Sequence, residues 1–294
     1  MKRSLRPKRN KISSSGRIVR TIPAPRVGKI ILLLAILSRS AAGDQPVMNE
    51  VPRWEGGYGG QVFIEHRWSD NLMSGSTELD NPAGLYENKQ ITHLEAVYTF
   101  KRWLRITGKL PYVRQWRRQA DPGGGTSTER NDGFSDLTLA LPIKKYTNGW
   151  GYSENVGIVP LIRLPISKGS GDYPISDGTT DYGVSLTFER ETAVYIVSTG
   201  ATYWWEQGSS SEETGAIDID LGWNFSDYGA LHWETELERE RGGGKWLATG
   251  PTLFWNINDF AMARIEYKQA IDERVAGVGF TRGNTLRIGV GIVF

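Results

Sequence analysis

The feature that most constrains the fold is a set of long runs in which apolar and polar side chains alternate. In the run 104–112, Leu104 and Ile106 share one parity, whereas Arg105 and Lys109 share the other. Alternation with a period of two predicts a β-strand with one apolar face. Such runs recur about twelve times and mostly span roughly 9–15 residues. Strands in soluble domains average about five or six residues, whereas a tilted strand that crosses a bilayer needs about 9–11. The runs therefore predict membrane-spanning strands.

The connections between the runs alternate between short and long. This alternation predicts an up-and-down barrel whose long loops lie outside the cell and whose short turns lie in the periplasm. The short Gly242–Gly244 connection departs from the order, and 147–155 is intermediate in length. The predicted short turns are 101–102, 190–192, 226–229 and 258–259, and the predicted long loops are 70–88, 118–132, 169–180, 208–213 and 272–283.

The predicted fold class is all-β, a transmembrane up-and-down antiparallel β-barrel of about twelve strands. In lipid every backbone polar group has to be paired, so the last strand is expected to pair with the first and close the sheet. The final segment 284–294 has an apolar parity that ends on Phe294, which suits a closing strand. A secreted β-sandwich and a soluble ligand barrel are the alternatives, but sandwich strands are shorter and lipocalin-type barrels have about eight strands.

Many of the tryptophans lie near the ends of the predicted strands. Tyr and Trp at both ends of long strands mark the two bilayer interfaces, whereas a soluble sandwich places them in its core. We therefore expect these residues to form interfacial belts. They are Trp68, Trp103, Trp116, Trp204, Trp205, Trp223, Trp246 and Trp255.

The first 42 residues have the pattern of a secretory signal peptide. A basic region is followed by the apolar run 30–37 and by small residues at 40–42, which is the order of such a signal. Eight apolar residues span only about 12 Å as a helix, against a bilayer core of roughly 30 Å, so a membrane anchor is not expected. The predicted organisation is a signal peptide over 1–42, a short periplasmic segment over 43–56 and the barrel over 57–294. It implies export to the outer membrane of a Gram-negative-type cell.

The basic charge of the chain belongs to this leader. The leader holds eleven of the 35 Lys and Arg residues and none of the 33 Asp and Glu residues, so the remainder carries a net charge of −9. The pI of about 8.6 is therefore no sign of nucleic-acid binding, and no nucleic-acid partner is expected. The chain has no cysteine, so its stability is expected to come from the fold rather than from disulfides.

If the apolar parity faces lipid, the opposite parity faces the lumen, and that parity is rich in charge. Such side chains would destabilise the barrel by roughly 2–4 kcal/mol each if they faced lipid at the midplane. Twelve strands enclose a space between that of filled eight-strand barrels and that of open sixteen-strand porins, so a narrow lumen is expected. The predicted pore-lining residues are Glu65, Arg67, His93, Glu95, Arg105, Lys109, Arg163, Asp218, Asp220, Glu234, Glu236, Glu238, Arg264, Glu266 and Arg287.

Two interpretations of these charges remain open. They are either cross-strand pairs that fill and stiffen the lumen or a surface that selects solutes by charge. Glu234, Glu236 and Glu238 form the most suggestive run. Three like charges on one strand face repel, so they need basic neighbours or a cationic solute, and the adjacent strands supply few basic residues.

The run 156–166 is apolar on both parities. Pro160 and Pro165 cannot donate to the strand ladder, which predicts a bulge or a bend. An inward-facing apolar patch that includes Val159, Leu161 and Pro165 would suit a poorly soluble organic solute. Packing of the same patch against an inward-folded loop is the alternative.

No catalytic, cofactor-binding or metal-binding residues are predicted, and the chain is not expected to be an enzyme. His66, His93 and His232 are the only histidines, and none has metal-ligand spacing to another. An outer-membrane phospholipase of similar size would need a serine within hydrogen-bond reach of its histidine, and the sequence shows no compact motif of that kind. The aspartates of the 169–181 loop match no known calcium loop, and solvated turns explain them.

The segment Gly133-Phe-Ser-Asp-Leu-Thr-Leu-Ala-Leu-Pro-Ile-Lys-Lys-Tyr146 resembles the "MetA-pathway of phenol degradation" family of outer-membrane proteins, whose members often begin this strand with Gly-x-x-Asp-Leu. A proline-containing strand and a glycine-rich loop follow in the family and are matched here by 159–165 and 168–171, and Gly250-Pro251 fits its later part. The resemblance covers roughly residues 55–294. It implies similarity to outer-membrane transporters of hydrophobic or aromatic compounds, and it assigns no role to any single residue.

The sequence therefore predicts an outer-membrane channel or transporter for small solutes, including hydrophobic or aromatic ones. It would work by passive diffusion through a charged, narrow lumen without a cofactor. A plugged structural barrel whose extracellular loops bind a partner is the main alternative, and a lipid-modifying enzyme is a weaker one. The expected partners are outer-membrane lipid, a small solute and barrel-insertion machinery, which the resemblance to outer-membrane barrels implies reads the terminal Phe294.

Overall fold

The structure is a computed structural model, which describes residues 54–121, 124–166, 175–176, 178–207, 214–240 and 242–294. The predicted signal peptide and most of the predicted periplasmic segment lie outside the described residues, and both stay predictions. Within the described ranges, no helix is long and apolar enough to cross a membrane.

Seventeen β-strands form in the described parts of the chain, and the long ones alternate between buried and exposed residues as their sequence pattern predicts. Their bounds are β1 (Tyr58–Ser69), β2 (Leu72–Ser74), β3 (Thr77–Glu78), β4 (Tyr86–Lys101), β5 (Leu104–Ala120), β6 (Thr126–Phe134), β7 (Leu137–Ala140), β8 (Ile143–Gly149), β9 (Tyr152–Leu164), β10 (Asp181–Thr192), β11 (Tyr195–Trp205), β12 (Thr214–Ser226), β13 (Gly229–Glu240), β14 (Lys245–Asn256), β15 (Ala261–Arg274), β16 (Val278–Phe280) and β17 (Asn284–Val293).

Twelve strand positions form a closed antiparallel barrel, which confirms the predicted fold class. Single strands occupy eleven positions, namely β1, β4, β5, β9 to β15 and β17. The remaining position, between β5 and β9, holds β6, β7 and β8 in succession, because Ser135-Asp136 and Leu141-Pro142 interrupt the strand. Strands β16, β2 and β3 form a small separate sheet.

The closing seam joins β17 to β1, as the sequence pattern predicts. Its register runs from Asn284 opposite Trp68 to Val293 opposite Gly59. Beyond the last strand, the backbone N–H of Phe294 donates to the Tyr58 carbonyl at 2.7 Å, and the Tyr58 N–H donates back at 2.8 Å. The barrel is therefore sealed as far as the last residue of the chain.

One end of the barrel carries the tight turns, and we call it the short-turn end. The connections β4–β5, β8–β9, β10–β11, β12–β13 and β14–β15 lie there, together with Tyr58 and Val293 at the two ends of the barrel's chain. The opposite end, which we call the long-loop end, carries the longer connections. The described part of the chain thus has the alternation of short and long connections that an up-and-down barrel requires.

The outward parity of the barrel is apolar and exposed. Ile64, Leu221 and Val290 have exposed fractions of 46%, 54% and 59%. Soluble monomers rarely expose contiguous apolar patches above a few hundred Å², whereas a membrane barrel needs an apolar band about 25 Å tall. Further exposed members of this parity are Val62, Leu94, Ile106, Ile158, Leu186, Ile219, Leu253, Ile265, Ile288 and Ile292.

Two predicted connections are shorter than expected. Most of the predicted loop 118–132 is strand, because β5 and β6 continue as a hairpin to Ala120 and from Thr126. The predicted connection 147–155 shrinks to Trp150-Gly151, where Gly151 has a φ of 79°, a conformation that glycine adopts without strain. The sequence pattern missed these segments because strands that leave the apolar band lose the alternation that identifies them.

The bulge predicted at Pro160 lies instead in the neighbouring strand. Strand β9 is continuous through Pro160, and the break falls at Leu141-Pro142 between β7 and β8. The Leu141 N–H donates to the Pro160 carbonyl at 3.0 Å across this break. Pro160 has no backbone N–H to donate to the neighbouring strand. The break at Leu141-Pro142 in that neighbouring strand accommodates the missing hydrogen bond.

Two of the tryptophans predicted for the interfacial belts face inward. Trp204 is fully buried and Trp246 is nearly so, whereas Trp103, Trp223 and Trp255 are exposed. Trp204 lies against Gly183, where a Cβ atom would come within 2.8 Å of the indole ring. The absence of a side chain on the neighbouring strand therefore leaves room for an indole inside the barrel.

Candidate functional site

The fifteen charged residues predicted to line the lumen all lie on the buried parity of their strands. Each is buried or half-buried, while the residues beside them on the outward parity are mostly exposed. That these side chains line a conducting path stays a prediction. The contacts described below show how the barrel interior holds so many charges.

Glu65, on β1, is one centre of the charged interior and is fully buried. Its carboxylate oxygen lies 3.0 Å from Nε2 of His93 and accepts from Nε of Arg287 at 2.7 Å. Arg67 donates to the other oxygen. Two arginine donors and the contact with His93 offset the loss of hydration of this carboxylate, which is the condition for burying a charge.

Glu266, on β15, is the second centre and is also fully buried. Arg287 donates to it through Nη1 at 2.9 Å, and Nζ of Lys268 lies 3.3 Å away. Arg264 also donates to it. Because Arg287 contacts both Glu65 and Glu266, it links the two centres across β17.

Of the Glu234, Glu236 and Glu238 ladder on β13, the first two residues find basic partners two strands away. On β12 the residues opposite Glu236 and Glu234 are Asp218 and Asp220, which add negative charge. The neutralising cation comes from β15, where Nζ of Lys268 lies 2.9 Å from Glu236 and 3.2 Å from Glu234. Arg264, also on β15, lies 3.6 Å from Glu234.

Small side chains on β14 make this reach possible. Ala248 stands opposite Glu236 and Gly250 stands opposite Glu234, both on the inward parity. The side chain of Lys268 therefore passes over a strand that presents no bulk at this height. We use the name charged wall for Glu65, Glu234, Glu236, Arg264, Glu266, Lys268 and Arg287.

A connection from the long-loop end extends the charged wall. The segment 275–283, which we call the inner loop, brings Arg282 into the barrel. Arg282 donates to Glu238, and its guanidinium lies 3.9 Å from the centroid of the Trp246 ring. Burial alone would lower the pKa of Arg282, but the carboxylates, Glu238 first, raise it above its usual value. Arg282 therefore supplies fixed positive charge to Glu238, at the long-loop end of the glutamate ladder.

The inner loop is held at several other points. The Ser69 hydroxyl lies 2.6 Å from the hydroxyl of Thr281, and both residues are buried. The indole N–H of Trp246 donates to the Gly283 carbonyl at 3.2 Å. The N–H of Gly283 donates to the Glu273 carboxylate at 2.8 Å. These contacts fix the position of Arg282.

The opposite side of the interior is apolar. Ala140, Val159, Leu161 and Trp204 form a buried cluster, which we call the apolar wall. The expected inward patch is thus real for Val159 and Leu161, and its side chains pack against Trp204 of β11. Arg163 stacks on Trp204, with its guanidinium 4.4 Å from the ring centroid.

Arg163 also has two carboxylate neighbours. Its Nη1 lies 3.3 Å from Asp181 and 3.6 Å from Glu206. Asp181 in turn accepts from the backbone N–H of Gln207 at 3.0 Å. The Asp181 carboxylate is therefore held by protein groups. The other two aspartates of the 169–181 loop, Asp172 and Asp177, lie outside the described residues. Within the described ranges, no group of three or more His, Cys, Asp or Glu side chains is arranged to hold a metal.

Other predicted residues have local partners on neighbouring strands. Nζ of Lys109 lies 3.9 Å from Glu95, and Arg105 donates to the Tyr146 hydroxyl at 2.7 Å. His232 lies with Nδ1 2.7 Å from Asp220. All of these are cross-strand contacts of the stiffening kind, so the structure contains the paired arrangement that one of the two sequence interpretations requires.

A cavity opens at each end of the barrel. The larger, of about 570 Å³, lies at the long-loop end between the inner loop and residues that include Arg67, Arg117 and Trp246. The smaller, of about 310 Å³, lies at the short-turn end beside His232 and Phe254. The two cavities share no lining residue.

Sequence reasoning missed two cations that matter here. Lys268 continues the parity of Arg264 and Glu266, so the alternation contained a signal for it. Arg282 lay in a predicted loop, and no sequence periodicity indicates that a loop folds inward. Its contacts with Glu238 and Trp246 depend on tertiary structure alone.

No known family matches the sequence, and no curated protein matches it. The barrel is similar to an outer membrane channel from Pseudomonas putida F1, with 12% identity, a TM-score of 0.60 and coverage of 86% of this chain and 100% of that chain. The NanC porin has 12% identity and a TM-score of 0.48, with coverage of 79% of this chain and 98% of that chain. The translocator domain of the autotransporter NalP from Neisseria meningitidis has 12% identity and a TM-score of 0.45, with coverage of 90% of this chain and 95% of that chain. The first likeness establishes a shared fold, that of an outer-membrane β-barrel, and the other two are too distant to argue from.

Proposed function

We propose that the protein is an outer-membrane channel for small solutes, with its short-turn end in the periplasm and its long loops outside the cell. The observation that carries this proposal is the sorting of side chains. The outside is apolar, while the inside carries a chain of buried ions that runs from Arg282 through Lys268 and Glu266 to Glu65. A barrel that served only as a scaffold could fill its interior with apolar side chains at a lower desolvation penalty.

The structure supports a channel that is occluded at rest. The interior holds Glu65 and Glu266 near mid-height and Trp204 nearer the long-loop end, all fully buried. We expect conduction to require displacement of the inner loop, because it inserts Arg282 beside the glutamate ladder. Fixed charges of both signs along the path would then select solutes.

The two walls of the interior favour a particular class of solute. One wall offers ionised groups, and the other offers the apolar surface of Val159, Leu161 and Trp204. A small solute with an apolar or aromatic body and one ionised group contacts both walls favourably. The resemblance to barrels that transport hydrophobic or aromatic compounds agrees with this class.

The proposed setting follows from the same features. The leader over 1–42 directs export, outer-membrane lipid surrounds the apolar band, and barrel-insertion machinery reads the last strand through Phe294. No cofactor and no covalent chemistry are part of the proposed mechanism. Passive diffusion through the lumen needs only the fixed charges and the walls described above.

Planar-bilayer recording and liposome swelling test this proposal together. The reconstituted protein is expected to give discrete conductance steps in KCl and to admit benzoate faster than glucose into swelling liposomes. Correct folding is verified beforehand by the heat-dependent gel migration of intact barrels. Silent bilayers and unswollen liposomes from folded protein would reject the channel.

A plugged barrel whose long loops bind a partner is the second candidate. Its specific support is the filled mid-height of the interior, where Glu65 and Glu266 are inaccessible to water. The same recordings separate the two candidates, because a plugged barrel is expected to stay silent even after the inner loop is released by Arg282→Gln. A channel is expected to conduct more readily in that variant.

A further inference from the structure

Three arginines share the outward face of the β5–β6 hairpin at the long-loop end. Arg114 and Arg118 lie on β5, and Arg130 lies on β6. The two on β5 have the parity of Ile106, which faces outward and is exposed. Their guanidinium groups therefore point away from the lumen, whereas Arg117, on the other parity, lines the inner cavity.

The arginines lie just beyond the apolar band. Trp103, which is 53% exposed, marks the short-turn end of β5, and Tyr112 follows nine residues later in the sequence. Nine residues is about the length that a tilted strand needs to cross a membrane. Arg114 lies two residues past Tyr112, about 7 Å further along the strand. This places it at the level of lipid headgroups.

The strand register brings the three side chains into one cluster. Trp116 pairs with Arg130, and it stands midway between Arg114 and Arg118. Arg130 is thus the diagonal neighbour of both, and diagonal neighbours on an antiparallel pair are about 7–8 Å apart. The cluster of Arg114, Arg118 and Arg130 with Trp116 is called the basic cluster below.

The positive charge of the basic cluster is not neutralised within the described part of the chain. No ion pair there involves any of the three arginines. Arg114 lies over the Tyr112 ring and Arg130 over the Trp116 ring, both at 5.6 Å from the centroid, while Arg118 donates to the Thr126 hydroxyl.

Among the residues that the structure describes, the same face carries little opposing charge. Asp132 stands opposite Arg114, and it accepts from the Tyr112 hydroxyl. On β4 the residues facing the same way are Asn88 and Gln90, which are neutral. The basic cluster is therefore an exposed patch of net positive charge that borders the apolar band.

We infer that the basic cluster binds the phosphorylated headgroup of a glycolipid in the outer leaflet. The inference rests on the proposed function, in which this end of the barrel lies in that leaflet. Guanidinium groups bind phosphate through two parallel hydrogen bonds, which suits Arg better than Lys. Trp116 and Tyr112 lie where aromatic side chains contact the boundary between headgroups and acyl chains. Two or three guanidinium groups within one cluster match a headgroup that carries two phosphates.

The test measures binding of lipid A to the purified, delipidated protein in detergent micelles. The probes are lipid A with two phosphates, the same lipid with both phosphates removed, and inorganic phosphate as a competitor. The native protein is compared with the triple variant Arg114→Gln, Arg118→Gln, Arg130→Gln. The control variant Lys101→Gln, Arg102→Gln, Lys145→Gln removes three exposed cations at the short-turn end.

The native protein and the control variant are expected to bind the phosphorylated lipid equally. The triple glutamine variant is expected to bind it about a hundredfold more weakly, at about fivefold for each arginine. A matching triple Arg→Lys variant keeps the charge but loses the paired hydrogen bonds, so it is expected to fall between them. Heat-dependent gel migration verifies that each variant is folded.

Equal affinity of the native and triple glutamine proteins would overturn the inference, as would equal affinity of the native protein for the two lipids. Competition by millimolar inorganic phosphate would also overturn it, because it would indicate a free-anion site rather than a lipid site. The triple glutamine variant is expected to keep native conductance, since its side chains face away from the lumen. Loss of lipid binding with unchanged conductance therefore separates this inference from the channel proposal.

Discussion

Lys268 of β15 donates to Glu236 of β13 at 2.9 Å, across the whole width of β14. Neighbouring strands lie about 4.8 Å apart, so the contact spans two strand spacings and uses the full length of a lysine side chain. It exists because Ala248 and Gly250 present little bulk on the interior face of β14 at this height. Glu234 and Glu236 are therefore neutralised from β15, the second strand away, rather than from an adjacent strand.

Filling this gap is expected to break the contact. Ala248→Leu places a branched side chain between Lys268 and Glu236, and overpacking of a filled interior is destabilising by roughly 1–3 kcal/mol. The free energy of unfolding, measured by urea titration in lipid vesicles, is expected to fall by that amount. Ala96→Leu makes the same change on the lipid-facing parity of β4 and is expected to have little effect. Equal stability of the two variants would show that the small side chain at Ala248 is not needed.

Glu266 is expected to be the least replaceable charge in the charged wall. Glu266→Gln leaves Arg264, Lys268 and Arg287 without their shared anion. Removing one partner of a buried ion pair is destabilising by about 3–5 kcal/mol. The same vesicle titration measures the loss, and Glu78→Gln, at an exposed position of the long-loop end, is the control. A change below about 1 kcal/mol would mean that water reaches this group and screens it.

The inner loop can be locked by a disulfide. The hydroxyls of Ser69 and Thr281 lie 2.6 Å apart, and the native chain has no cysteine, so the double variant Ser69→Cys, Thr281→Cys carries a single pair. Oxidation is expected to abolish or strongly reduce conductance steps, and a reductant is expected to restore them. The single variant Ser69→Cys should respond to neither reagent. Conductance that is unchanged by oxidation of the double variant would show that the loop does not gate the lumen.

Phe294 is expected to assist assembly of the barrel. Its ring lies 5.4 Å from that of Tyr58 and 6.0 Å from that of Phe260, at the closing seam. Phe294→Ala removes both contacts, so the fraction of protein that shows heat-dependent gel migration is expected to fall. Trp150→Ala, which removes a fully exposed aromatic side chain at the same end, is the control. Equal folded fractions would show that the terminal ring is dispensable.

The sequence was sufficient for the barrel because lipid imposes one rule on every strand. Each strand that crosses the apolar band must be apolar on its outward parity. Where the inward parity is polar, as at Arg105 beside Ile106 of β5, the alternation identifies both faces without any knowledge of the neighbouring strands. The rule ends at the membrane boundary. The β5–β6 hairpin and the turn at Gly151 were missed because polar residues occupy both parities there.

The partners inside the barrel could not be predicted from the same rule. Period-two alternation says that Glu236 faces inward, but the choice of Lys268 as its partner depends on the bulk of a third strand. The inward positions of Trp204 and Trp246 were missed for a related reason, because a tryptophan near a strand end can face either way. Gly183 makes room for Trp204 inside the barrel, and Arg282 stacks on Trp246. Such choices are set by the packing of neighbouring strands rather than by local pattern.

The reversal potential across a planar bilayer under a KCl gradient tests the central claim most directly. Glu238 and Arg282 form one ion pair inside the barrel, so their variants remove opposite charges from one place. Glu238→Gln is expected to shift the reversal potential toward anion selectivity and Arg282→Gln toward cation selectivity, both relative to the native protein. Folded protein that stays silent, or two variants that share the native reversal potential, would contradict a charged conducting lumen.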